Sequence, residues 1–397
     1  MEEWGIELLI GIGKTFLLPS LYWGFLVIWI SSLIRIREER ESLGVRVFPL
    51  FSELNGTVGF GLLSGLILSV FLIGFSISLP FEVFLIYSLV MILFSATIRF
   101  TWTSPAYTLG VTYLLVLLVL GMEWNWIPSS IYSAFDHTSL PALAILIALL
   151  LFVEAFFILR QADAPTFPMI RKGHRGKPIG QQKFKKGIFV PFLLLIPGVG
   201  GVEALVPWWP TFDINGESFG FLLVPFFFGV EHVFQGFHPT IGKRMLGRYL
   251  FILSLVILAI SIVSIWIPIA SLFAVLVGII GREICSLVVR MKDQAKNPYF
   301  SIQPDGLYIV GVIQGSPADQ MGLRIGERIE KVNNRPVASE KDFYNALQAN
   351  GAYTKLEVRG ESGEIRFAQR ATYEGEHHEL GLIFLKEEEN WEDYNEK

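Results

Sequence analysis

The sequence predicts a polytopic α-helical membrane domain of about seven to nine transmembrane segments, followed by one small α/β domain. Three observations predict it. Of the 397 residues 52% are hydrophobic, 33 are Phe, and mean hydropathy is +0.51, far from the average of soluble domains. Apolar runs near the twenty residues needed to span a bilayer recur along the first 290 residues. From Arg290 onward the composition changes to 14 Lys+Arg and 19 Asp+Glu, as in a solvated, acidic domain. The expected divisions are a multi-span domain at 1–290, a linker at 291–304, an α/β domain at 305–385 and an acidic tail at 386–397. The single cysteine, Cys285, excludes an internal disulfide and any multi-cysteine metal site. Met1 to Glu7 is acidic and lacks the basic start of a cleavable signal, so the first apolar segment is expected to be retained.

Taken in order, Trp4 to Leu18 is interrupted by Lys14 and stopped by Pro19. It reads as an interfacial helix or half of a tight helical hairpin. Spans are expected at Leu21 to Ile34, Gly56 to Leu79, Phe81 to Ile98, Tyr107 to Gly121 and Leu140 to Leu159. The second carries Gly59, Gly61, Ser64 and Gly65, small residues that allow close helix approach. Phe189 to Val206, broken at Pro197-Gly-Val-Gly-Gly201, and Phe219 to Phe237 read as a sixth and a seventh. Tyr249 to Ile265 and Ile269 to Val289 form a hairpin around Trp266-Ile-Pro268.

Lys and Arg sort the connections. They cluster at 35–49, at 160–187, at 238–248 and from 290, and are nearly absent around Leu79, at 122–138, at 207–218 and at 266–268. Alternating the spans puts every basic cluster on one side, so the positive-inside rule places the C-terminal domain in the cytoplasm. The basic loop from Arg171 to Lys186 either fixes topology or binds anionic lipid headgroups or an acidic protein. Nucleic acid is excluded as a partner, because a basic membrane loop is not a nucleic-acid fold.

The C-terminal domain is written in short signals. Leu307 to Ile313 is a strand flanked by Gly306 and Gly315. Ser316-Pro-Ala318 starts a short helix that Gly322 ends. Glu327 to Val332 is a second strand, turned by Asn333-Asn334. Ser339 to Ala349 is a capped amphipathic helix with Phe343, Ala346 and Leu347 on one face. Lys355 to Arg359 and Glu364 to Arg370 form a hairpin. The set resembles a PDZ domain, which the resemblance implies binds peptide by adding a strand to a sheet edge. The apolar-Gly-apolar loop of such domains is missing before the first strand and stands instead at Glu379-Leu380-Gly381-Leu382. A permuted strand order follows, with Leu382 to Leu385 facing Phe343 and Leu347. The expected groove is Glu379, Leu380, Gly381, Leu382, Phe384, Phe343 and Leu347, or else Leu380 and Leu382 merely close the core. His377 and His378 stand beside it, as anion contacts or as solvated side chains.

Catalytic patterns are lacking. Glu231-His232 and His238 reverse the order of a zinc-protease motif, and the histidines, six positions apart, fall on different sides of a helix. No phosphate-binding glycine loop follows a strand, and no cofactor or metal is expected; a small-molecule ligand is not expected either. Glu154, Glu203, Glu231, His232, Arg282 and Glu283 are ionisable groups at membrane depth, and so functional suspects; they serve either structural pairing or transport.

With the layout assembled, the chain resembles the MinJ family in Trp4-Gly-Ile-Glu-Leu-Leu9, in Arg35-Ile-Arg37-Glu-Glu-Arg40, in the multi-span body and in the single terminal PDZ domain. The resemblance implies a non-enzymatic adaptor of the bacterial cell membrane, enriched at division septum and poles. Its implied partners are a DivIVA-like scaffold, MinD with MinC, which block misplaced FtsZ assembly, and membrane lipids. The other readings are a membrane transporter or a PDZ-bearing regulator of an intramembrane protease.

Overall fold

In a computed structural model the described residues are 2–121, 132, 135, 138–173, 176–202, 219–302, 306–349, 353–360, 362–371 and 380–385. Their membrane part is built from helices α1 (Glu2–Thr15), α2 (Pro19–Leu43), α3 (Val58–Gly74), α4 (Phe81–Ser95), α5 (Pro105–Gly121), α6 (Leu140–Arg160), α7 (Pro239–Val263) and α8 (Ile269–Gln294). Four of these, α2, α6, α7 and α8, are long and apolar enough to cross a membrane. Helices α3, α4 and α5 are apolar but span only 17, 15 and 17 residues. Helix α6 is buried on nearly every side, as expected of a segment apolar all round.

The sixth and seventh expected spans are not helices. They are the strands β2 (Pro178–Val202) and β3 (Phe219–Phe234), paired antiparallel in one long hairpin, with β1 (Phe167–Lys172) alongside β2. From Gly187 to Pro197 the strand rises about 33 Å, close to the ~30 Å hydrocarbon thickness. Unpaired strand edges are not tolerated in lipid, and the hairpin has two. Alternate residue pairs turn their backbone polar groups outward: Phe189 with Phe227, Pro191 with Pro225, Leu193 with Leu223, Leu195 with Phe221. Several of the outward groups are met by helices and turns. On the β2 edge the Leu193 N–H donates to Ser69 Oγ of α3 at 2.8 Å, and Leu79 N–H donates to the Leu195 carbonyl at 3.1 Å. On the β3 edge Thr15 Oγ1 of α1 donates to the Leu223 carbonyl at 2.7 Å. The Tyr87 hydroxyl of α4 donates to the Phe227 carbonyl at 3.0 Å and accepts its N–H at 3.1 Å. Pro191 and Pro225 face each other in register at outward positions, where the missing N–H removes one donor that would otherwise need a partner.

Small residues make this contact possible. A Cβ on Gly61 or Gly65 would collide with the carbonyl oxygens of Phe189 and Pro191, and one on Gly11 of α1 with that of Phe221. The glycines of the second expected span therefore seat α3 on a strand edge and not on another helix, while Gly59 has nothing within 4 Å. Helix α1 packs the same way, with Trp4 edge-on to Phe221 at 5.6 Å; its partner is the β3 edge, not α2.

The basic loop expected at Arg171 to Lys186 is also largely strand, and its last lysines are not exposed. Lys186 Nζ donates to the carbonyls of Ser52 and Asn55 at 2.8 and 3.2 Å. Lys185 Nζ reaches the Ile98 carbonyl at 3.0 Å and lies over the Phe100 ring. Burial lowers the Lys186 ammonium to about 8 against the opposing pull of Glu53. Arg35, expected only to mark a basic connection, is buried: it pairs with Glu53 at 2.8 Å and Glu39 at 2.6 Å, and donates to the Pro49 carbonyl at 2.8 Å. The second Glu39 oxygen accepts Val47 N–H at 2.9 Å, so the network shapes the turn carrying Val47 and Phe48.

The C-terminal domain contains strands β4 (Leu307–Tyr308), β5 (Gly311–Val312), β6 (Arg328–Val332), β7 (Arg335–Pro336), β8 (Tyr353–Arg359), β9 (Ile365–Ala371) and β10 (Leu382–Ile383). Helices α9 (Pro317–Gln320) and α10 (Glu340–Gln348) complete it. The main sheet runs β4-β6-β8-β9 with β7 on β6, and β10 pairs with β5. The expected caps are present: Ser316 accepts from Asp319 N–H, and Ser339 with Asp342 forms a reciprocal capping box. Asn333 and Asn334 both have positive φ, 49° and 67°, as a tight hairpin turn requires.

Candidate peptide-docking site

The strand β10 and the helix α10 bring the expected groove residues together. Leu380, Leu382, Phe384, Phe343 and Leu347 share one apolar core, and the Phe343 and Phe384 rings meet edge-on at 5.0 Å. Gly381 has φ +83°, a left-handed turn that places the Leu380 carbonyl to accept Ala318 N–H at 2.9 Å. The Ile313 N–H donates to the Gly381 carbonyl at 2.8 Å, and Val310 N–H to that of Ile383 at 2.9 Å. Gly381 and Ile383 thus turn their carbonyls toward β5, and by alternation Leu382 and Phe384 turn theirs away from it. Glu379, His377 and His378 lie outside the described residues, as does Glu203.

The other face of β10 was not legible as a site residue by residue. Side chains alternate along a strand, so Ile383 and Leu385 point opposite to Leu382 and Phe384. Ile383 enters a cluster with Val47, Phe48 and Phe167; Leu385 enters another with Phe300 and Val310. Val47, Phe48 and Phe167 belong to the basic end of the membrane part, whereas the second cluster joins the domain's own Val310 to Phe300 of the connecting segment, with Ile170 of β1 packed against it. Polar contacts join the same surfaces: Gln182 Nε2 donates to the Val310 carbonyl at 2.7 Å, and Gly180 N–H to that of Phe300 at 3.0 Å. Asp293, near the end of α8, accepts three backbone N–H groups, from Gln235, Gly236 and Phe237, at 2.8, 3.1 and 2.8 Å. Tyr299 N–H donates to the Gln235 carbonyl at 2.8 Å. The strand expected to line the groove is thereby fixed to the membrane part through its reverse side. Replacing Ile383 by Glu removes a buried aliphatic group and presents a charge to the same pocket, at a cost of about 3 kcal/mol or more. That raises the undocked population on the order of a hundredfold. Limited proteolysis of the full chain is expected to cut between 294 and 306 correspondingly faster, with the β-rich domain itself intact; unchanged cleavage would refute the docking role.

The intramembrane suspects are mostly paired. Glu154 and Arg282, both almost fully buried, bond at 3.0 and 3.2 Å; Ser104 donates to Glu154, and Arg282 donates to Ser286. Glu231 accepts Phe100 N–H at 3.0 Å and pairs with Lys183 at 3.3 Å and Lys185 at 3.7 Å. His232 points inward from β3, ringed by Phe234 at 4.8 Å. His238 caps α7, its ring 3.4 Å from the Ile325 carbonyl, so the two histidines do not converge. Among the described residues no three His, Cys, Asp or Glu side chains are grouped to hold a metal ion.

Residues 308–360 match the PDZ domain family. The cell division topological determinant MinJ of Bacillus subtilis is 38% identical over 97% of both chains. The chain belongs to the MinJ family. A probable MinJ of Lacticaseibacillus paracasei is 26% identical over 72% of this chain and 79% of its own. The mouse serine protease HTRA3 is 36% identical over 93 residues, 23% of this chain and 20% of its own length; that likeness reaches no further than the PDZ domain, so it brings no protease domain to the MinJ-family chain. Kinship with a division determinant accords with a non-enzymatic role.

Proposed function

We propose that this chain is a membrane adaptor for division-site selection. It links a polar or septal scaffold of the DivIVA type to MinD and MinC, and so keeps FtsZ assembly from misplaced sites. The carrying observation is the near full-length kinship to a cell division topological determinant. The basic end of the membrane part carries the PDZ domain, and the positive-inside rule puts that end in the cytoplasm. A multi-pass anchor that includes the β2–β3 hairpin then holds the PDZ domain at the inner leaflet. The order of its strands is permuted: the last one, β10, supplies the groove, with Leu380-Gly381-Leu382 as its loop and Phe343 and Leu347 on the helix opposite. Partner segments add to the outward edge of Leu382 and Phe384.

The test is localisation with complementation. A fluorescent fusion expressed in Bacillus subtilis lacking its own MinJ is expected at septa and poles and to restore normal cell length. Even spread over the membrane without restored length, from a folded protein, would overturn the reading.

A further inference from the structure

We propose that Glu283, on the lipid-facing side of α8, is the docking point for a membrane-spanning helix of another protein that carries a lysine or arginine. Helix α8 ends in Arg290 and Lys292, which mark the headgroup level. Glu283 lies seven residues earlier, about 10 Å deeper at 1.5 Å per residue. Its neighbours on that face, Leu276, Ile280, Ile284 and Leu287, are all exposed apolar side chains. Glu283 is exposed among them. Its sequence neighbour Arg282 offers no counter-charge, because it is turned inward and bound to Glu154 and Ser286. The contact Glu283 makes among the described residues is one hydrogen bond, accepted by Oε2 from the Tyr107 hydroxyl at 2.7 Å. An exposed carboxylate at this depth, supported by one neutral donor, is costly in lipid. A leucine would complete the apolar stripe at no such cost.

The chemistry selects the occupant. A carboxylate with one free oxygen in a low-dielectric surround is satisfied by a cation that brings its own hydrogen bonds. A second copy of this chain does not supply one: a two-fold contact through this face sets Glu283 against Glu283. A lipid amine sits at the headgroup level, outside Arg290. A partner helix packed on Ile280, Ile284 and Leu287, with its basic residue one to two turns from its cytoplasmic end, reaches the free oxygen directly. This surface is separate from the PDZ groove, and it rests on the adaptor reading only for the kind of partner it takes.

The test is photo-crosslinking of the full chain in cells, with the probe at Ile280 or Leu287. The expected adduct is with a different membrane protein, its cross-linked peptide a spanning helix containing Lys or Arg. Glu283→Gln, which keeps the Tyr107 bond, is expected to lower the yield about fivefold, the scale of one interfacial charge pair. Glu283→Asp retains most of it. Glu283→Lys recovers the adduct when the partner's cation is replaced by Glu, which a fold defect would not allow. Adducts with lipid alone, adducts between two copies, or a yield unchanged by Glu283→Gln overturn the proposal. Septal localisation, scored in the same cells, separates the two claims: a correctly placed fusion with no such adduct refutes this one and leaves the adaptor reading standing.

Discussion

Gly65→Val is expected to abolish folding of the membrane part, while Gly59→Ala, six residues earlier on the same helix, changes stability by no more than about 1 kcal/mol. The difference lies in what each Cβ meets. At Gly65 it would strike the Pro191 carbonyl oxygen, a backbone atom held in the β2–β3 ladder and unable to step aside. At Gly59 it meets nothing within 4 Å. Forcing α3 away from β2 also pulls Ser69 from the Leu193 N–H, which is then left unpaired at about 1–3 kcal/mol. Overpacking and the lost hydrogen bond together exceed about 4 kcal/mol, a large fraction of what holds a domain folded. Yield of monodisperse protein in detergent, with its thermal midpoint, measures the effect. A Gly65→Val protein as stable as its parent would mean that α3 does not seal the strand edge.

The same hairpin shows where the sequence stops being legible. Ile188, Val190, Phe192 and Leu194 alternate with Phe189, Pro191, Leu193 and Leu195, and neither set faces water. A strand covered on both faces loses the two-residue alternation, and an unbroken apolar run reads equally well as a buried helix. The signal that distinguishes them was present but weak: Pro191 and Pro225 fall mid-run, and membrane helices tolerate proline often enough to hide the point. The PDZ domain was easier because its information is local. Ser316-Pro317, Asn333-Asn334 and Ser339 with Asp342 each specify a turn or cap through their own chemistry, and all three form as expected. The packing of Leu380 and Leu382 against Phe343 and Leu347 was legible through Leu380-Gly381-Leu382, but the contacts of Ile383 depend on Val47 and Phe167, hundreds of residues away. Arg35 shows the same limit. A basic residue after a span reads as a topology marker, and only the fold reveals Glu39 and Glu53 around it.

Arg282→Leu is expected to be nearly as damaging as the glycine change, and its partner Glu154→Leu likewise, yet the two together should be far less so. Each single change leaves a charge or a strong hydrogen-bonding group in an apolar core without its counterpart, at about 3–5 kcal/mol. Glu154 would keep only the Ser104 hydroxyl, and Arg282 only Ser286. Removing both replaces the pair by aliphatic side chains among residues that are already apolar, an exchange often neutral for buried ion pairs. The double variant should therefore recover most of the thermal midpoint in detergent, and the cycle should return a coupling of several kcal/mol. It also separates structure from transport. If Glu154 and Arg282 only hold α6 to α8, the double variant localises and supports division as its parent does. A stable double variant that fails in cells would give the pair a task beyond packing, and a double variant as unstable as the singles would place the stabilisation in the Ser104 and Ser286 contacts instead.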